Sequence, residues 1–393
     1  MSPATSHAEP HGFEISRVGG EWAARADAPG LRRASPHASR FRDANLVVLG
    51  AGNVGGHLLS ILDAEGPGLF NRTGLSLRVV GVATRRGSAF RAAGLAALHR
   101  PLPVDGPSRE QLVAWASAMP HAILVDCTAS TEMEPLYHQA FERGVSVVTA
   151  NKHSLTLPTA RARGLLEAAA GGSSCFAYET TVGADLPVIA PIADRIASGD
   201  VISGVTGSLS GTLGFLAWKI GEGSSLVHAM REAQTLGLTE PDPTEDLSGR
   251  DVARKALILA RELGLELELD DVALEPFVPA STLARAGEVG LERALEEISA
   301  TFSEQACALA SVGRVVRYLA VIDPSAAVPV KVGPVVVDAR HPAFGLRGTE
   351  SLVSITSARA AGVPIVIRGP GAGGAATASG LYAEIVRAAR RAS

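Results

Sequence analysis

Two lysines and two carboxylates are spaced so that they can serve one reaction. Asp251 and Lys255 stand four residues apart in Arg250-Asp251-Val252-Ala253-Arg254-Lys255, so on a helix they share one face. A lysine beside a substrate oxygen in a partly dry cleft has a lowered pKa and can pass a proton to a carbonyl as hydride arrives. Glu240 sits in the rigid turn Glu240-Pro241-Asp242-Pro243, where its carboxylate can grip an ammonium. Lys152, in Asn151-Lys152-His153, follows the apolar run Val145–Val148 and thus lies at the carboxyl end of a strand, where α/β sheets bind ligands. Other local readings stay open. Ser248-x-x-Asp251 also fits a capping box, Lys255 fits one half of a surface pair, and Lys152 fits an ordinary loop lysine.

A second cluster concerns phosphate. Gly50-x-Gly52-x-x-Gly55, enclosing Asn53 and Val54, lies between the strand-like Leu46–Leu49 and the helix-like His57–Leu62. The first glycine permits a tight turn, the second lets a pyrophosphate approach, and the third allows close helix–strand packing. A glycine-rich turn of some other α/β fold is the alternative. The next strand ends Val82-Ala83-Thr84-Arg85-Arg86, with no carboxylate for a ribose 2′-OH and two guanidinium groups suited to a 2′-phosphate. NADP is therefore favoured over NAD, unless Arg85 and Arg86 are simply solvated. Thr128, in Asp126-Cys127-Thr128, ends a further strand. Cys127 reads as a packed thiol, since no partner base is identifiable.

These residues need a scaffold. Strands at Leu46–Leu49, Leu77–Val82, Ala122–Val125 and Val145–Val148, alternating with helical stretches, predict a Rossmann-type, doubly wound parallel sheet over 45–175. A mixed α/β domain is expected over 176–330. It has strand-like 176–190, a strand at Asp200–Gly207, a helix at Leu213–Lys219, a long helix at Ser248–Leu263 and more helices to about Tyr318. Strand-like runs then cover 331–368, and the last segment, 369–393, carries Gly371 and Gly373 before a final helix at Leu381–Ala389. Residues 1–44, rich in Pro, Gly, Ser and Ala without hydrophobic period, read as a disordered leader.

Composition narrows the class. The chain has 393 residues, 46% hydrophobic and 19% charged, which is an ordinary globular balance with ample core. A net charge of -4 gives no footprint for nucleic acid or an anionic membrane. No apolar run approaches the roughly 20 residues of a membrane span. Three scattered cysteines form neither a disulfide framework nor a metal set, and fit a reducing, cytoplasmic location.

Five stretches, in order and at family spacing, resemble the homoserine dehydrogenases. They are Val147-Val148-Thr149-Ala150-Asn151-Lys152, Tyr178-Glu179-Thr180-Thr181-Val182-Gly183-Ala184-Asp185-Leu186-Pro187, Gly207-Ser208-Leu209-Ser210-Gly211-Thr212-Leu213, Gly237-Leu238-Thr239-Glu240-Pro241-Asp242-Pro243 and Asp246 to Lys255. The resemblance implies reduction of L-aspartate 4-semialdehyde to L-homoserine by direct hydride transfer. In it Lys255 is the proton donor and acceptor, and Lys152 a second catalytic or orienting cation. Glu240, Asp251 and Gly237 bind substrate. The cofactor is held by Gly50, Gly52, Asn53, Val54, Gly55, Arg85, Arg86, Thr128, Lys152, Gly371 and Gly373. The resemblance further implies a monovalent cation such as Na+ on Glu179, Val182, Ala184 and Leu186, and dimerisation strands making a homodimer or dimer of dimers. Asp185 departs from the Gly common at that position, which would strain the cation loop if φ must be positive there. A related NADP-dependent semialdehyde dehydrogenase and a non-catalytic dinucleotide-binding module are the alternatives; turnover on different carbonyls, or cofactor binding without turnover, would distinguish them.

Overall fold

The computed structural model describes residues 14–18, 21–25, 42–95, 101–360 and 362–391. Within the expected leader, β1 (Glu14–Val18) and β2 (Glu21–Arg25) pair antiparallel, Val18 opposite Glu21. The rest of residues 1–41 lies outside the described residues.

The first sheet is built from β3 (Arg42–Leu49), α1 (Asn53–Thr73), β4 (Leu75–Thr84), β5 (Gly87–Phe90), α2 (Arg109–Ala116), β6 (Ala122–Asp126), α3 (Glu134–Glu142), β7 (Ser146–Thr149), α4 (Thr159–Ala170) and β8 (Phe176–Ala177). Its strands lie in the order β5-β4-β3-β6-β7-β8, parallel except for the β4–β5 hairpin. Helices cover both faces, so β3 is buried on both sides and its apolar run is continuous rather than alternating. The three strands from β3 through β7 deliver Gly50, Thr128 and Lys152 to one edge.

The chain then crosses to a second unit through α5 (Thr180–Gly183) and α6 (Ile189–Ala197). It continues with β9 (Ile202–Ser208), α7 (Gly211–Gly221), α8 (Leu226–Thr235), α9 (Pro243–Leu247), α10 (Arg250–Glu262) and β10 (Ala273–Leu274). After these come α11 (Ala280–Val289), α12 (Leu291–Ser311), β11 (Arg314–Ile322), β12 (Val330–Asp338), β13 (Glu350–Ser357), β14 (Ile365–Pro370) and α13 (Gly374–Arg391). The second sheet runs β10-β12-β11-β9-β13-β14, antiparallel except where β10 meets β12. Val205, Tyr318, Ala320, Ile322, Val332, Val353 and Ile355 turn one face of it toward the buried sides of α7, α8 and α10.

Three expectations are corrected. Helices do not continue to Tyr318: Gly313, at φ 69, ends the preceding helix, and Val315, Val316, Tyr318, Val321 and Ile322 form β11. Segment 176–190 holds two strand residues and then helices; β8 joins the first sheet beside β7. The strands over 331–368 share one sheet with β9 and β11, because β9 pairs with both β11 and β13. The long helix begins at Arg250 rather than Ser248, since Gly249 at φ 72 turns the chain into it. The chain then comes back to the first unit: Leu381, Ile385 and Ala388 of α13 are buried against Leu58, Leu59 and Leu62 of α1.

Candidate active site

The site forms where α10 meets the carboxyl end of β7. Lys255 Nζ lies 2.8 Å from Asp251 Oδ2 and donates to the Leu209 carbonyl at 2.7 Å, while Lys152 Nζ lies 3.2 Å from Asp251 Oδ1. One carboxylate thus bridges a lysine from each unit. The Lys255 side chain is only 11% exposed, and the other two are more open to the cleft. Crowding by the cleft works against charge on Asp251, but the Lys255 and Lys152 ammonium groups outweigh it and hold the carboxyl well below its usual range. Asp251 makes no helix cap: α10 has no side-chain cap, and the Ser248 hydroxyl donates to the Glu245 carbonyl.

Lys152 is aimed by a buried network beneath it. Asp126 accepts from the Tyr137 hydroxyl at 2.5 Å, from Asn151 Nδ2 at 3.1 Å and from the Thr128 N–H at 2.8 Å. Burial raises the Asp126 pKa, against the pull of those donors. Asn151 also donates to the Ser130 carbonyl and accepts the His153 N–H at 2.9 Å, so both sides of Lys152 are fixed. Thr128 belongs to this support, with Ser130 N–H on its hydroxyl. Cys127 is a free thiol whose pKa burial pushes far up, so it packs rather than reacts.

Glu240 is exposed on the loop beyond α8, its N–H donating to Asp246 Oδ2 at 2.8 Å. Gly237, at φ 67, ends α8 and launches that loop, and Thr212 ties the loop down by donating to the Leu238 carbonyl at 2.6 Å. Asp246 is a site residue to which sequence reasoning gave no role. Burial raises its pKa, and it faces the charges of Glu240 and Asp251. Its presence in the motif with Asp251 was the available signal.

The glycine turn has the shape a dinucleotide requires. Gly50 holds φ 84, and a Cβ on Gly55 would lie 1.9 Å from the Gly50 carbonyl oxygen, whereas one on Gly52 would meet nothing within 4 Å. The amino end of α1, at Asn53, Val54 and Gly55, has no acidic residue and no side-chain cap, so its N–H groups are free for phosphate. Arg85 and Arg86 are exposed at the β4–β5 turn, and neither has an ion-pair partner among the described residues. Gly371 and Gly373 divide differently than expected. A Cβ on Gly371 would strike Ser351 at 2.1 Å, so its need is set by β13, and Gly373 (φ 105) is open. The close approach to the cofactor turn belongs to Gly374, where a Cβ would lie 2.3 Å from Asn53 Oδ1.

The expected cation loop is differently wired. The Glu179 carboxylate accepts the backbone N–H groups of Val188, Ile189 and Ala190 at the start of α6, so its oxygens are spent on a helix end. Among the described residues no donor is recorded for the carbonyls of Ala184 or Leu186. The positive φ falls on Ala184 (54°), not on Asp185, so the Asp departure carries no strain. Glu384 of α13, which sequence reasoning passed over, accepts Glu179 N–H at 2.8 Å, Thr180 N–H at 3.2 Å and the Thr180 hydroxyl at 2.9 Å. Burial still pushes its pKa up to about 7.

The chain matches the homoserine dehydrogenase family over residues 187–386 and the NAD binding domain of homoserine dehydrogenase over residues 50–179. A bifunctional aspartokinase/homoserine dehydrogenase of Haemophilus influenzae is 37% identical over 265 residues, 67% of this chain and 32% of that protein. The chain spans less than half the length of the curated relatives it matches. Among solved structures, a Candida auris protein of unknown function superposes with a TM-score of 0.77 at 29% identity, covering 89% of this chain and 99% of that one. A hyperthermophilic archaeal homoserine dehydrogenase in complex with NADPH shares the fold, with a TM-score of 0.64 at 23% identity over 88% of this chain and 97% of that one. The two family matches take in both the glycine turn and the lysine–aspartate–lysine bridge, and the chain belongs to the homoserine dehydrogenase family.

Proposed function

We propose that the protein interconverts L-aspartate 4-semialdehyde and L-homoserine with NADP. The observation that carries this reading is the Lys152–Asp251–Lys255 bridge across the cleft, with Nζ–Oδ distances of 3.2 and 2.8 Å. Two of the Lys255 ammonium donors are held by Asp251 and the Leu209 carbonyl, which leaves the third for the substrate oxygen. Lys255 gives its proton to the aldehyde oxygen during reduction and takes the hydroxyl proton in the reverse direction. Lys152 stabilises the developing oxyanion, and Asp251 keeps both cations in register. Glu240, Asp246 and the turn at Gly237 hold the amino end of the substrate. Gly50, Gly52, Asn53, Val54, Gly55 and Thr128 hold the dinucleotide, with Arg85 and Arg86 on its 2′-phosphate and the Gly371–Gly374 turn closing beside Asn53. When bound, the nicotinamide supplies or accepts the hydride.

The test follows the reduced-nicotinamide absorbance band with homoserine at alkaline pH, NADP and NAD in parallel. Growth of the band, faster with NADP, is expected; a flat trace from folded, cofactor-binding protein would sink the reaction assignment. Faster turnover with NAD would overturn the role given to Arg85 and Arg86.

The cation site is proposed in a narrowed form, on the carbonyls of Val182, Ala184 and Leu186 without the Glu179 carboxylate. Replacing Na+ with a tetraalkylammonium is then expected to lower thermal stability of the hinge segment 178–190. An unchanged melting curve would remove the cation. A homodimer using the second sheet is also part of this reading, as is a cytoplasmic location. Among the described residues no helix is long and apolar enough to cross a membrane.

A further inference from the structure

The turn His153–Thr156 lies along one face of α10. Two contacts hold it there: Lys152 to Asp251 at 3.2 Å, and the Arg261 guanidinium donating to the Leu155 and Leu157 carbonyls at 2.7 and 2.9 Å. Arg254 and Arg261 are two helical turns apart, so both face this turn. Their surroundings differ. Arg261 also reaches the Leu267 carbonyl, the Thr159 hydroxyl and Glu268. Arg254 is half-buried, yet its guanidinium has no hydrogen bond or ion pair among the described residues, and neither has the His153 imidazole.

The two groups nevertheless feel one another. After burial, Arg254 is the foremost influence lowering the His153 pKa; Lys152 acts in the same direction and Asp251 against it. Lys152, Lys255 and Arg254 therefore bring three basic side chains to a corner where Asp251, with Asp246 and Glu240 beside it, supplies the carboxylates. A half-buried guanidinium without an acceptor is costly unless a ligand provides one, and its planar fork matches a carboxylate or a phosphate.

We propose that Arg254 and His153, together with Lys152, form an anion cradle at the rim of the catalytic cleft that holds the carboxylate of the amino-acid substrate. The proposal rests on the reaction assigned above. A cofactor phosphate is the other source of the same chemistry. The phosphate turn, however, lies at the end of β3, whereas Arg254 is the neighbour of Lys255 in the second unit. Substrate oxygen on Lys255 and substrate carboxylate on Arg254 would orient the chain between them, and this makes the two residues determinants of specificity for an acid over a neutral amino alcohol.

Steady-state kinetics of wild type, Arg254→Met, Arg254→Lys and His153→Ala test the cradle, with homoserine and its carboxamide as substrates. Arg254→Met is expected to raise the homoserine KM about ten- to hundred-fold, the range of a charge-assisted hydrogen bond. Its kcat and NADP KM should stay near wild type, and lysine should restore part of the loss. The carboxamide, which lacks the charge, is expected to serve wild type and Arg254→Met equally poorly. A rise in the NADP KM alone would assign the anion to a cofactor phosphate and overturn the proposal, as would unchanged constants in all three variants. Inactivity of the wild type toward homoserine would instead overturn the reaction on which the proposal rests.

Discussion

At the scale of the residue, the chemistry depends on how few partners Lys255 has. Its side chain is 11% exposed and its ammonium is held by one carboxylate and one carbonyl, which leaves one donor for the substrate oxygen of the proposed reaction. Lys255→Ala is expected to lower turnover about 10²- to 10⁴-fold, the usual contribution of general acid–base catalysis. Folding and NADP binding should be retained, as equilibrium titration of the cofactor would establish. Asp251 makes a second prediction. Its pKa is depressed in the fold, so its ion pairs contribute stability above the ordinary carboxylate pKa of about 4 and lose it as pH falls through the depressed value. In urea unfolding, wild type should exceed Asp251→Asn near neutrality, and the gap should close on acidification. A gap independent of pH would mean that the two ammonium groups are not its cause.

At the scale of the element, the segment linking the two units is held by carboxylates on helix ends. Glu179 accepts the first N–H groups of α6, and Glu384, reaching from α13, accepts those at the start of α5. The single Thr180 hydroxyl proton is shared between Glu384, at 2.9 Å, and the Thr149 carbonyl, at 3.1 Å, at the end of the strand that leads to Lys152. The clamp is tight: a Cβ on Gly380 would lie 2.3 Å from the Ala184 carbonyl oxygen. Glu384→Ala leaves buried donors unsatisfied at roughly 1–3 kcal/mol each. A lower urea midpoint with a preserved unfolding slope is the expected result; an unchanged midpoint would mean that water replaces the carboxylate without loss.

At the scale of the molecule, the cofactor unit is discontinuous in sequence. Leu381 and Ile385 are fully buried against α1, and burying each such side chain contributes about 1.5–3 kcal/mol. A chain ending before Gly374 would therefore expose the apolar side of α1 and lose the clamp on α5. Such a truncation is expected to yield insoluble protein or to lose cooperative unfolding by circular dichroism. Recovery of a soluble, cooperatively folding fragment would show that residues 42–177 suffice for the cofactor unit.

Local physics settles what the sequence determines alone. Four strands of the first sheet (β3, β4, β6 and β7), the glycine turn at Gly50–Gly55 and the i,i+4 pair Asp251–Lys255 depend on neighbours in the chain, and each occurs where its spacing predicts. The family was legible for the same reason, through short motifs in a fixed order. What the sequence could not decide were contacts between distant segments. Pairing against β12 and β9 accompanies β11 where helix was expected, α6 captured the Glu179 carboxylate, and Ser351 leaves no room for a Cβ on Gly371. Asp246, Glu384 and Arg254 gained meaning in the same way, because a charge is defined by what surrounds it and only the tertiary structure brings those surroundings together.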